Sequence, residues 1–189
     1  TVENVMMNLE GEQIDVDSFV KGIAGDFMDY AAERKISFRI ECDDTLPAEV
    51  YADKNVVEKI VMNLLNNAFK YTRDGGNIVL MTKTGQEFAS QWTGHYKVGD
   101  CMEDAFSIVV SDTGVGISGE SISSVFERFY KVNTVNADSH LGTGIGLALV
   151  KSLVLLQKGC VSIYSEREKG TDMVVCLPMD SSVFGESDF

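Results

Sequence analysis

In the run Asp112-Thr-Gly114-Val-Gly116-Ile117 a single carboxylate stands directly before two closely spaced glycines. Further along, Gly142-Thr143-Gly144-Ile-Gly146-Leu147 repeats the glycine spacing ahead of an apolar-periodic run. A carboxylate can accept a hydrogen bond from an exocyclic amine. Glycine tolerates positive φ and lets a backbone or a ligand come close. Exposed N–H groups at a helix start, with the helix dipole behind them, bind phosphate. A carboxylate at one end and phosphate-seeking amides at the other suit a nucleotide, base first and phosphates after. The glycine turns are weak evidence by themselves. The second is not the dinucleotide fingerprint, which needs G-x-G-x-x-G directly after a strand, nor a Walker loop, because no Gly-Lys-Ser/Thr follows.

A third group changes the odds: Asn63-Leu-Leu-Asn66-Asn67-Ala-Phe-Lys70-Tyr71. On a helix, positions 63, 67, 70 and 71 share one face, so two carboxamides, an ammonium and a phenol point the same way. Carboxamide oxygens such as Asn67 Oδ1 can ligate Mg²⁺, which keeps several waters and takes its other ligands from substrate phosphates. Lys70 is a point charge for phosphate, and Tyr71 can pack on a base. A lone Asn or Lys on such a face is ordinarily just solvated. Four such groups on one stripe, followed by Asp-Thr-Gly-x-Gly, are not ordinary.

These residues need elements to hold them. Asp15 to Ser18 offers helix caps, and Phe19, Ile23, Phe27, Tyr30 and Ala31 keep helical spacing to about Arg34. Ile36, Phe38, Ile40 and Cys42 alternate as in a half-buried strand. Pro47 breaks the following loop, and Tyr51-Ala52 is a candidate short strand. Asp53 caps a helix from Lys54 to about Tyr71, with Val57, Ile60, Val61, Leu64, Leu65 and Ala68 on its buried side. Strands are expected over 77–84 and 106–112, the latter rich in β-branched residues. Residues 120–129 read as a short helix, 131–141 as a polar loop, and 144–157 as a helix ending at Gly159. Residues 160–166 and 171–177 form a hairpin across Lys169-Gly170, closed by Pro178. The stretch 85–104 is polar and long for a hairpin loop; it reads either as a variable extension or as a partner-docking surface. The resulting order predicts an α/β two-layer sandwich, with one mixed sheet and helices on one face.

The chain has 189 residues, enough for one core, and a net charge of −13. The acid excess argues against nucleic acid or an anionic membrane as the main partner, and leaves any bound polyphosphate in need of a cation. No run is long enough to span a bilayer, and no signal peptide opens the chain. The four cysteines, Cys42, Cys101, Cys160 and Cys176, show no metal or disulfide spacing and read as free thiols in a reducing cytoplasm. His95 and His140 lack ligand spacing.

Residues 63–72 resemble the N box of sensor histidine kinases. Residues 112–117 resemble the first glycine box of that family, Phe126-Glu-Arg128-Phe129-Tyr130-Lys131 its F box, and residues 142–147 its second glycine box. Order and spacing match the catalytic and ATP-binding domain over nearly the whole chain. The resemblance implies the Bergerat nucleotide-binding fold, shared with gyrase, MutL and a heat-shock chaperone, whose sheet is mostly antiparallel. It implies ATP and Mg²⁺ as cofactors, and transfer of the γ-phosphoryl group to a histidine on a dimerisation domain outside this chain, for relay to a response regulator receiver domain. By motif, Asp112 accepts the adenine amino hydrogen, with Gly114 and Ile117 in the same loop, and Gly116 lets the base approach. Asn67, helped by Asn63, holds Mg²⁺; Lys70 and Tyr71 face phosphates and adenine or ribose. Arg128 and Phe129 line the nucleotide. Lys131, where the family often has Arg, reaches the γ-phosphate. Gly142, Thr143, Gly144 and Gly146 lie along the phosphates, with Leu147 beneath, and residues 130–142 form an ATP lid. The domain would span 15–179, after the remnant of a dimerisation helix or linker at 1–14 and before a linker at 180–189, in the cytoplasmic part of a parent that an inner-membrane anchor could hold.

Three departures from the pattern stand out. The His-plus-acid phosphorylation motif is missing, the 85–104 insertion is extra, and Gln157-Lys158-Gly159 replaces a common His-x-Gly. The competing reading is a degenerate ATP-binding regulator or an ATP-driven switch. Hydrolysing relatives place a Glu at the position of Asn63 to activate water, a task Asn cannot perform.

Overall fold

The structure is a computed structural model that describes residues 9–101, 104–127 and 146–179. Its order is β1 (Gly11–Ile14), α1 (Val16–Gly25), α2 (Met28–Glu33), β2 (Ser37–Cys42), β3 (Val50–Asp53), α3 (Lys54–Tyr71), β4 (Asn77–Thr84), β5 (Gly94–Val98), β6 (Ala105–Asp112), a 3-10 turn (Ile122–Ser124), α4 (Gly146–Leu156), β7 (Cys160–Glu166) and β8 (Gly170–Pro178). Six strands form one sheet in the order β2-β4-β6-β8-β7-β5, and β1 pairs with β3 in a separate ribbon. Only β2 and β4 run parallel; the other neighbours in the large sheet are antiparallel. This is the expected mixed, mostly antiparallel two-layer sandwich.

Strand alternation decides what each face carries. Phe106, Ile108 and Val110 of β6 join Val161 and Ile163 of β7 and Met173, Val175 and Leu177 of β8 in the main core, where they meet Ile60, Leu64 and Leu65 of α3 and Val150, Leu153 and Val154 of α4. Asp112 has the parity of Val110 and so ends β6 on the helix side. The opposite face holds a smaller cluster of Val109, Cys160, Val174 and Cys176, with Met81, Phe88, Cys101 and Tyr164 packed on it. None of the four cysteines is in a disulfide.

The helix that carries the asparagines is secured at both ends. Asp53 accepts from Asn55 N at 3.0 Å and Val56 N at 3.2 Å, and also from Glu10 N at 2.8 Å; such a cap contributes about 1 kcal/mol. At the other end Arg34 donates to the carbonyls of Phe69 and Thr72 and pairs with Asp74 at 2.8 Å, serving carbonyls that a helix terminus leaves without partners.

Four local expectations change. Gly11 and Glu12, read as the end of a helix, belong to β1, which is paired with β3 from Gly11↔Asp53 to Ile14↔Val50. The ordered fold therefore begins before residue 15. The helix expected to run to Arg34 breaks at Asp26 and Phe27, where Asp26 N and Phe27 N turn to the Ile23 and Ala24 carbonyls. The stretch 85–104 contains β5, an edge strand on β7 with register Gly94↔Ser165 to Val98↔Val161. Between Glu120 and Glu127 only the 3-10 turn forms, although Ile122, Val125 and Phe126 bury at helical spacing.

Candidate functional site

The C-terminal turn of α3 and the loop after β6 meet directly. The Tyr71 carbonyl accepts Val115 N at 3.1 Å. A Cβ on Gly114 would lie 2.5 Å from that same carbonyl and 2.8 Å from Asp112 Oδ1, so residue 114 must be glycine for this contact. Gly114 N donates to Asp112 Oδ1 at 2.8 Å. Thr113 N donates to the Asn77 carbonyl, and Thr113 Oγ1 accepts Asn77 N, both at 3.0 Å. The loop is thus a preformed cradle, with Asp112 at its root and Ile117 buried at its far end.

Asp112 is a buried acid with no cation beside it among the described residues. Burial pushes its carboxyl up to about 7, and nearby Asp172 pushes the same way; N–H groups of Gly114 and Thr171 only partly offset them. A buried carboxyl in this condition gains from a ligand donor, and an exocyclic amine supplies one.

Gly116 has φ +66, the left-handed region that disfavours side chains, and a Cβ there would collide with the Glu166 carbonyl. The expectation that Gly116 lets a base approach is a separate matter from this packing. The group it admits here is the main chain of the turn between β7 and β8. That turn was not foreseen as part of the site. Glu168 N donates to the Val115 carbonyl at 2.6 Å, and Ile117 N donates to Ser165 Oγ at 2.8 Å. Ser165 Oγ also contacts the Gly170 carbonyl and Thr171 Oγ1, both at 2.8 Å. The available signal was modest: Ser165 and Thr171 are hydroxyl residues at inward positions of otherwise apolar strands.

Along α3, Asn63, Asn67, Lys70 and Tyr71 are all half-buried. Lys70 Nζ sits 5.1 Å from the centre of the Tyr71 ring. Asn63 Nδ2 donates to the Lys59 carbonyl at 2.7 Å. Its Oδ1 is turned toward α4, 2.9 Å from where a Cβ on Gly146 would stand. Leu147 is half-buried against the main core. An open groove lined by Asn55, Glu58, Lys59, Met62 and Asn63 continues along α3 away from Asp112. Among the described residues no three His, Cys, Asp or Glu side chains gather as a metal site. The carboxamide oxygens of Asn63 and Asn67 are of the kind that can serve a hard cation such as Mg²⁺, which keeps waters and phosphates in its shell. Arg128, Phe129, Lys131, Gly142, Thr143 and Gly144 lie outside the described residues, as do the 130–142 segment and His140. His95 lies on β5, stacked on Tyr164 at 4.3 Å between ring centroids.

The arrangement has clear relatives. The sequence profile of the family described as "Histidine kinase-, DNA gyrase B-, and HSP90-like ATPase" matches residues 52–181. "Histidine kinase P4" of Formosa agariphila is 30% identical over 190 residues, covering 99% of this chain and 13% of its own length. Full-length ShkA, solved in complex with AMPPNP, superposes with a TM-score of 0.73 at 22% identity, covering 96% of this chain and 34% of that one. The histidine kinase ThkA, solved in complex with the response regulator protein TrrA, gives 0.64 at 18% identity, covering 91% and 42%. Both structural likenesses are likenesses of fold. The chain spans only a small part of its curated relatives.

Proposed function

Because this chain belongs to the histidine kinase-, DNA gyrase B- and HSP90-like ATPase family, we propose that it is the ATP-binding catalytic domain of a two-component sensor histidine kinase. One observation carries the reading: a single helix joins both glycine motifs. Tyr71, at the end of α3, holds the Asp112 loop through its carbonyl, and Asn63, eight residues earlier, faces Gly146 at the start of α4. Eight residues of helix span about 12 Å, so adenine at Asp112 would run its phosphates past Asn67 and Lys70 toward Asn63.

In this reading the Asp112 carboxylate accepts the adenine amino hydrogen, and the preformed loop from Gly114 to Ile117 orients the base. Asn67 and Asn63 offer oxygens to Mg²⁺, which when bound neutralises phosphate charge. Lys70, held over Tyr71, adds a positive charge to the phosphate path. By motif, Arg128, Phe129, Lys131, Gly142, Thr143 and Gly144 complete the site, with Lys131 directed at the γ-phosphate. Phosphoryl transfer asks a protein mainly for positioning and charge stabilisation. Asn63 supports transfer over hydrolysis, since it offers no general base. The acceptor histidine lies on a dimerisation domain outside this chain, His95 sitting on the edge strand β5 against Tyr164 and not on a helix, and a response regulator receives the phosphoryl group. Among the described residues no helix is long and apolar enough to cross a membrane, and we place this domain in the cytoplasm.

The test is radiolabelled ATP supplied to this chain and to a longer polypeptide carrying its upstream helices, each with Asn67→Ala as control. Label is expected only on the longer polypeptide, on histidine, and not with Asn67→Ala. Lys131→Ala should slow transfer about tenfold or more while barely changing ADP affinity, since ADP lacks the γ-phosphate. Steady ATP hydrolysis without transfer would favour the switch reading; Mg-ATP binding with neither activity would favour a degenerate regulator.

A further inference from the structure

Residues 85–101 cross the face of the sheet that the helices leave open. Part of this stretch is a cover, with Phe88 at 6.0 Å from Tyr164 between ring centroids. Residues 90–93 do something more specific. Ser90 Oγ donates to Asp172 Oδ2 at 2.5 Å and accepts Trp92 N at 3.1 Å. Thr93 donates from both its N and its Oγ1 to Glu166 Oε1, each at 3.2 Å. The Trp92 ring edge lies 3.2 Å from the place a Cβ would occupy on Gly170, beside the Asp112 carbonyl.

The residues gripped in this way are those that support the Asp112 loop. Gly170 packs on the Asp112 main chain, Glu166 presents its carbonyl to Gly116, and Asp172 adjoins Thr171, the register partner of Asp112. Asp172 is itself buried, so the Ser90 hydroxyl answers a carboxylate that would otherwise lack this donor.

We propose that Ser90, Trp92 and Thr93 are positioning residues for the adenine end of the site, clamping the turn between β7 and β8 from outside so that Asp112 and Gly116 keep their geometry. This rests on the assignment of adenine to Asp112. It gives the insertion a role within the domain. It also couples nucleotide occupancy to Trp92, the only tryptophan in the sequence.

The experiment titrates Mg-ADP and Mg-GDP into the 189-residue chain, following Trp92 emission and heat together, for wild type, Ser90→Ala, Ser90→Thr and Thr93→Val, with melting midpoints alongside. Wild type should prefer ADP and change its Trp92 emission on binding. Ser90→Ala should weaken ADP about tenfold, the scale of one hydrogen bond to a charged group, and narrow the preference over GDP. Ser90→Thr should restore both. Should Ser90→Ala unfold, Thr93→Val makes the same test from the Glu166 side, with ADP weakened and selectivity narrowed. Selective ADP binding by wild type with unmoved Trp92 emission, and with wild-type affinity in the variants, would overturn the clamp and leave the adenine assignment standing. Equal binding of ADP and GDP by wild type would overturn the adenine assignment and the clamp with it.

Discussion

At the Asp112 end the candidate site is held by main chain from several segments, whereas at the Asn63 end it is held by side chains of one helix. Carbonyls of Tyr71, Asn77 and Val115 take N–H groups from Val115, Thr113 and Glu168, while the Glu166 backbone closes over Gly116 and Gly170 packs on the Asp112 main chain. Little there can move without breaking several bonds together. Asn63 and Asn67 are half-buried, Asn63 on an open groove, and the described partner of the Asn63 amide is a carbonyl of its own helix. Two ends built so differently suit two tasks. The rigid end discriminates, because a preorganised acceptor penalises a ligand without the matching donor. The open end adapts to a cation and its phosphates.

The glycines expose this difference most sharply. Gly116→Ala would hold alanine at φ +66 with its Cβ in the Glu166 carbonyl. We expect a loss of about 3 kcal/mol, from left-handed strain plus overpacking. Among the described residues, a Cβ on Gly146 crowds only the Asn63 side-chain oxygen, at 2.9 Å, and that side chain can turn aside. Gly146→Ala also replaces a glycine at the start of α4, where an alanine that fits the backbone gains about 0.4–1 kcal/mol by restricting the unfolded chain. Gly146→Ala should therefore leave stability unchanged or raise it, while disturbing Mg²⁺-dependent binding through Asn63. Urea unfolding midpoints measure the first effect and calorimetric titration the second. Equal stability losses at both glycines would erase the contrast.

Next in size is Asp112→Asn. Losing the charged acceptor should weaken ADP by about 2 kcal/mol, roughly thirtyfold, and reduce the preference over GDP. The variant should nonetheless be more stable than wild type at pH 8, since it no longer buries a carboxylate without a cation. Binding is read by calorimetry and stability by thermal unfolding. Wild-type affinity for ADP in the variant would remove Asp112 from the base site.

Much of this was legible in the sequence because the signals are local. Asp53 before an eighteen-residue stretch of helical period announces α3, and Lys169-Gly170 between two apolar runs announces the last hairpin. The strand β5 was not legible: an edge strand on which exposed and half-buried residues alternate through Gly94, His95 and Lys97 looks like loop, as protected edges do. Nor was β1, four residues of which only Ile14 is buried. At the site, the chemistry-bearing side chains declared themselves by type and spacing. Their support did not, because contacts such as Glu166 with Gly116 run through backbone, which any sequence supplies. Gly116 stood out in the sequence as a glycine in a turn, but nothing there pointed to the neighbouring β7–β8 turn that packs on it.

The smallest effect concerns protons. The Asp112 carboxyl sits at about 7 in the folded chain, against an ordinary 3.8. Between those values the folded state holds a proton that the unfolded state has released. Stability from this group is therefore complete below about pH 4, falls as pH rises, and reaches its full deficit above about 7. A donor from the base reverses the preference, since it favours the carboxylate. Nucleotide binding below pH 7 should then expel a proton, and ADP affinity should rise with pH by at most about tenfold per unit until the carboxyl is ionised. The ADP phosphates titrate as well, so the informative quantity is the affinity ratio of wild type to Asp112→Asn at each pH. That ratio should climb from pH 5.5 to 7 and level off above, with proton release visible as a dependence of binding heat on buffer ionisation enthalpy. A flat ratio would mean that the rigid end binds its ligand without changing the charge on Asp112, and that the contrast between the two ends is one of shape alone.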